Sequence, residues 1–192
     1  MQKPNVFLSS ALHGLEDLRS ILIDLFENEK GYFPIYYGER CSGGLTGKPG
    51  IVEQCLEGVR SSNAFVLIVD KRYGEPDQKD NEGNSISITE LEYLEAVKNK
   101  LAIYVFCRNE VWIVHKFWET NPDMNFKADS RYDHPIELMK FLSRLKEGNY
   151  YIPKFDTAAD LRKDIIKIEL SVETLKYQPS VVNESESLEE SS

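Results

Sequence analysis

A chain of 192 residues, 41% hydrophobic and 29% charged, suits one domain that buries roughly 70% of its unfolded surface without metal or disulfide staples. The formal charge of −9 argues against nonspecific attraction to nucleic acid or an anionic membrane, which needs clustered Lys and Arg, and leaves open a local basic pocket for a small phosphate ligand. Cys41, Cys55 and Cys107 leave one thiol over under any pairing and lack CxxC or metal-finger spacing; with no signal-peptide pattern and no apolar run of about 18 residues, the expectation is a reduced, cytoplasmic protein.

Val6-Phe7-Leu8 predicts a first strand that breaks at Ser9-Ser10. Leu15, Leu18, Ile21, Leu22, Leu25 and Phe26 then recur at three-and-four spacing, predicting a helix to Asn28 that packs one stripe on a sheet and stops at Gly31. Phe33 to Tyr37 reads as a second strand. Gly38 to Gly50, with five glycines and one proline, reads as a loop. Ile51 to Ser61 returns to helical spacing, and the unbroken apolar run Ala64 to Val69 predicts a central strand covered on both faces. Arg72 to Ser85 is a polar loop, Ile88 to Lys100 a helix and Leu101 to Cys107 another buried strand. Further on the patterns predict a helix over Val111 to Glu119, a loop over Asn121 to Asp133, a helix over Pro135 to Lys146, a last strand over Tyr150 to Phe155 and a closing helix from Thr157 to Leu175. Residues 178–192, ending ESESLEESS, read as an acidic disordered tail beyond a domain of residues 1–177. Alternating strands and helices imply an α/β fold: one open parallel sheet of about five strands with helices on both faces.

Such sheets bind ligands at the carboxyl ends of their strands, near the point where strand order reverses. Three segments therefore stand out: Ser9-Ser10, whose hydroxyls suit phosphate or ribose; Asp70 to Gly74, with Arg72, Tyr73 and Gly74; and the helix start at Ser87. Ser87 and Glu90 have the S-x-x-E spacing of a capping box, which assigns Glu90 a structural task. Glu92 lies one turn inside the helix, between a polar sector and an apolar flank, and no local interaction accounts for it. Gly43 to Lys48 imitates a phosphate-binding loop, but Ser42 stands where its first glycine belongs and Pro49 where magnesium needs Ser or Thr. His13, His115 and His134 show no metal-ligand spacing, and no nucleophile elbow is present.

The segments VFLSSALHGLEDLRSIL, CLEGVRSSNAFVLIVDKRYGEP and SITELEYLEAVKNKLAIYVF resemble a domain family found at the N-terminus of bacterial STAND-type signalling NTPases. Its pattern has Glu-Arg where this chain has Leu18-Arg19, so one supporting carboxylate is missing. That family is similar in fold to TIR domains and nucleoside 2-deoxyribosyltransferases, which implies a flavodoxin-like or TIR-like sheet and cleavage of an N-glycosidic bond by a helix glutamate. In the transferases that glutamate precedes an alanine by four residues, as Glu92 precedes Ala96, so the resemblance selects Glu92 as catalytic. It implies Ser9, Ser10, Arg72, Tyr73 and Gly74 as substrate contacts, NAD as substrate rather than cofactor, and no metal. The implied activity is an NAD hydrolase or cyclase in antiviral defence, with a separate effector protein and self-association. The alternatives are a noncatalytic nucleotide-sensing or assembly module and a nucleoside deoxyribosyltransferase.

Overall fold

The computed structural model describes residues 3–11, 14–36, 49–124 and 126–169. In chain order the elements are β1 (Asn5–Ser10), α1 (Glu16–Asp24), β2 (Phe33–Ile35), α2 (Pro49–Arg60), β3 (Ala64–Val69), β4 (Gln78–Lys79), β5 (Ser85–Ile86), α3 (Ile88–Lys98), β6 (Ala102–Arg108), α4 (Asn109–Thr120), α5 (Pro135–Glu147), β7 (Lys154–Phe155) and α6 (Ala158–Ile165). Five strands form one open sheet in the order β2-β1-β3-β6-β7, with every neighbouring pair parallel. This is the α/β architecture expected from the alternating elements.

Period-two alternation divides the core into two layers. Phe7, Phe65, Leu67, Val69 and Val105 pack with residues of α2, α3, α4 and α5 on one face. Val6, Leu8, Val66, Ile68 and Phe106 pack with α1 and α6 on the other. All six residues of β3 are buried, as its unbroken apolar run requires of a strand covered on both sides.

The chain runs from β1 outward to β2, then returns to place β3 on the far side of β1. Strand order therefore reverses between β1 and β3, and the crevice outside their carboxyl ends is the default binding position. On the face that carries Ser9, α3 packs against both β1 and β3, and Arg60 of α2 donates to Glu95 of α3 at 2.6 Å.

Several boundaries differ from expectation. The first helix is not uniform to Asn28: α1 passes at Leu25 into a π-helical stretch, Leu25–Lys30, in which Leu25 and Phe26 are both buried, and Gly31 ends it at φ 66°. The loop over Arg72 to Ser85 contains the antiparallel β4–β5 pair. The last strand pairs over Lys154–Phe155 alone, and the closing helix is described over Ala158–Ile165, capped by Thr157 with a complete capping box. The loop over Gly38 to Lys48, Cys41, His13 and the tail from 178 lie outside the described residues.

Candidate active site at the strand switch point

Ser9 closes β1 on the face covered by α3, and Glu92 stands one turn into α3. The two meet: Ser9 Oγ donates to Glu92 Oε2 at 2.6 Å across 83 residues of chain. Glu92 is 6% exposed and Ser9 2%. Burial pushes the Glu92 carboxyl up to about 7; the Ser9 hydroxyl, the positive charge of Arg19 and a hydrogen bond from the Cys55 thiol draw it back only in part. The hydroxyl and the thiol that donate to this carboxylate are neutral, and burial outweighs them together with Arg19. A carboxyl poised near neutrality at a ligand crevice can exchange a proton or meet developing positive charge at physiological pH.

Glu90 has a different setting. Ser87 Oγ does accept from Glu90 N at 3.3 Å, but the reciprocal half of the capping box is absent. Ser87 N donates instead to Tyr73 Oη at 3.1 Å, and the Tyr73 hydroxyl donates to Glu90 Oε2 at 2.5 Å. Arg144 of α5 pairs with Glu90 Oε1. Glu90 therefore serves as a tertiary clamp between α3, α5 and the β3–β4 connection, rather than as a local cap. Burial still raises its pKa, against the opposing effects of Tyr73 and Arg144.

Arg72, Tyr73 and Gly74, expected as substrate contacts, hold partners within the protein. Tyr73 is 3% exposed, edge-on to Phe141, with its hydroxyl both donating and accepting inside the protein. Burial followed by the Glu90 bond raises its pKa well above the ordinary phenol value, which keeps it a donor. Arg72 donates to Ser130 O at 3.0 Å and lies 4.0 Å from Asp133 Oδ2, so its charge is directed to the 130–133 segment. Gly74 holds φ 89°, a conformation glycine adopts without steric cost, and its N–H donates to Asp133 Oδ2 at 3.3 Å. Asp133 Oδ1 also accepts from Tyr73 N at 2.8 Å. Together these residues brace the start of α3.

Ser10 points to the opposite face of the sheet from Ser9, and its buried Oγ has no hydrogen-bond partner among the described residues. The structure thus brings together Ser9 and Glu92, places Ser10 beside them on the other side of the strand, and ties Arg72, Tyr73 and Gly74 to Ser130, Asp133, Ser87 and Glu90. Cys55 and Arg19 were not singled out as site residues. Cys55 appears in the sequence only as one member of an apolar helix stripe. Arg19 does fall within the Leu18-Arg19 departure, but the direction of its field depends on how α1 packs. Among the described residues no group of three or more His, Cys, Asp or Glu side chains is arranged to hold a metal ion, and no helix is long and apolar enough to cross a membrane.

Fold and site define a class: a doubly wound parallel α/β domain with a buried glutamate at its strand switch point. A family model described as "Domain of unknown function (DUF4062)" matches residues 5–168, and the chain belongs to that family. The match spans every strand and helix described above. No curated protein matches the chain, so no named relative ties it to TIR domains or deoxyribosyltransferases.

Proposed function

We propose that the chain cleaves N-glycosidic bonds, with Glu92 as the reacting carboxylate and NAD as the substrate, releasing an ADP-ribose-type product as a signal in antiviral defence. The observation that carries this reading is the Ser9–Glu92 pair at the β1/β3 switch point, with the carboxyl raised to about 7. The sequence resemblance to glycosidic-bond-cleaving families supports it. In the step proposed, the bond between C1′ of the ribose and the nicotinamide ring nitrogen breaks, and its electron pair leaves with the ring, which departs neutral. Ionised Glu92 meets the positive charge that develops on the sugar, or bonds to C1′ as an ester. Water then supplies hydroxide to C1′, and its proton passes to Glu92 or to solvent. Ser9 orients the carboxylate by its hydrogen bond. Because the ionised form reacts, turnover rises with pH through about 7.

A second reading has its own observation. Glu92 is nearly enclosed, and its oxygens accept from Ser9 and Cys55, as a carboxyl that only ties α3 to β1 and α2 would. In that case the domain is a noncatalytic nucleotide-sensing or assembly module. Incubating the purified protein and its Glu92→Gln variant with NAD and with deoxynucleosides, followed by mass spectrometry, separates the readings. Nicotinamide release by the parent alone supports the enzyme, base exchange from deoxynucleosides supports a transferase, and equal inactivity of parent and variant leaves the binding module.

A further inference from the structure

The face of α4 turned away from the sheet carries two large apolar side chains one helical turn apart, Ile113 at 59% and Phe117 at 58% exposure. They do not stand on a flat surface. Phe117 forms a wall of two adjoining hollows: one of about 530 Å³, shaped by Ile113, Val114, Met124, Phe126 and Tyr132, and one of about 390 Å³ against the segment Thr120 to Met124. A protruding benzyl group thus sits beside a concavity larger than itself, on one surface. At the edge of the larger hollow, Arg131 is 61% exposed and lies between Glu110 at 3.7 Å and Asp129 at 3.5 Å.

We propose that this face is a two-fold self-association surface, occupied by a second copy of the chain. A two-fold interface brings a patch against itself, so it must carry both halves of every complementary feature. Here the ridge and the hollow lie side by side, and Phe117 of each copy enters the hollow of the other. The edge also carries both signs of charge, so Arg131 of one copy faces Glu110 or Asp129 of its partner. A phosphate-bearing ligand fits poorly: the cations at the edge, Arg131 and Lys71, are already paired with Glu110 and Asp129, and the walls are apolar. Formal charge of −9 on each copy opposes association at long range and is screened by salt, whereas the apolar contact is not. Association therefore tightens as salt is raised, opposite to what an interface driven by charge attraction shows.

The proposal stands apart from the enzymatic reading, and its test does not measure turnover. Sedimentation equilibrium of the full chain from about 1 to about 200 µM, at low and moderate salt, reads the dissociation constant directly. The parent is expected to approach twice its chain mass, with a smaller dissociation constant at the higher salt. Phe117→Asp is expected to raise that constant at least about tenfold, as loss of a central aromatic anchor does, with an unchanged melting temperature because the side chain is exposed. Phe33→Asp, an equally exposed aromatic on β2, is expected to leave association intact. If Phe117→Asp melts below the parent, Ile113→Ser carries the same comparison. A parent that stays at one chain mass across the range overturns the proposal, and so does a dimer that Phe117→Asp and Ile113→Ser leave undisturbed.

Discussion

Glu90 and Glu92 stand two residues apart on one helix, both nearly enclosed, and the protein gives them different partners. Glu90 looks toward α5 and the β3–β4 connection, where a guanidinium and a phenol meet its two oxygens. Glu92 looks toward β1 and α2, where it meets a hydroxyl and a thiol, and it also feels the positive charge of Arg19. Burial penalises both charges, but a full countercharge in contact offsets far more of that cost than neutral donors do. One carboxylate is thereby committed to structure. The other is left near the midpoint of its titration at neutral pH.

The largest expected effect comes from removing that poise. On the proposed reading, Glu92→Gln lowers turnover of NAD by about two to three orders of magnitude, since one electrostatic stabiliser contributes roughly 3 to 4 kcal/mol to a barrier. Single-turnover nicotinamide release measures it. Parental turnover in the variant would overturn the catalytic role.

Next in size is a pH effect that needs no substrate. A carboxyl raised from 4.5 to about 7 in the folded protein holds its proton more tightly when folded than when unfolded. Its favourable contribution is complete below about pH 4.5 and is lost as pH rises through about 7. The loss amounts to about 3 kcal/mol. Urea unfolding of parent and Glu92→Gln across this range should show the parent losing stability relative to the variant by roughly that amount. Parallel curves would mean that the carboxyl titrates normally.

Smaller effects belong to the clamp. Tyr73→Phe leaves Ser87 N without its acceptor and removes a donor from Glu90, which should cost about 1 to 3 kcal/mol of stability. Glu90→Gln keeps an acceptor for Tyr73 but loses the ion pair; Arg144 is 38% exposed and can turn to water, so about 1 to 2 kcal/mol is expected. Neither change should move the Glu92 titration by itself. A shifted titration in Tyr73→Phe, followed by carboxylate infrared bands, would show that the two carboxylates are coupled. Arg72→Ala is the smallest: its partners are an exposed carbonyl and a long ion pair, so stability should fall by about 1 kcal/mol or less, and on the proposed reading NAD affinity should not change. A large loss of NAD affinity in this variant would place Arg72 in the substrate site.

The order and kind of the elements were legible because apolar residues recur with a period set by local geometry, whatever the rest of the chain does. Ala64 to Val69 reads as a buried strand and is one; Gly31 reads as a helix stop and is one. The capping box at Ser87 was legible by half, since spacing shows which side chains reach a helix end but not whether another residue reaches it first. Tyr73 arrives there from 14 residues upstream and takes the N–H that Glu90 was expected to satisfy. In the same way, the sequence of the Arg72-Tyr73-Gly74 loop marks it as special without showing that Asp133, some 60 residues on, receives its backbone donors.

The sequence by itself determined the α/β class, the central place of the Ala64–Val69 strand and the crevice ends to inspect, because periodicity and the position of loops after strands are properties of neighbouring residues. It also singled out Glu92, by the absence of any local partner and by a motif likeness. What the tertiary structure alone decided is the environment that separates two glutamates of identical chemistry. The desolvation of a carboxylate, the closeness of Ser9 and Cys55 to one and of Arg144 to the other, and the shift in proton affinity that follows all arise from segments 37 to 83 residues apart, whose meeting depends on strand order and helix packing rather than on any local pattern.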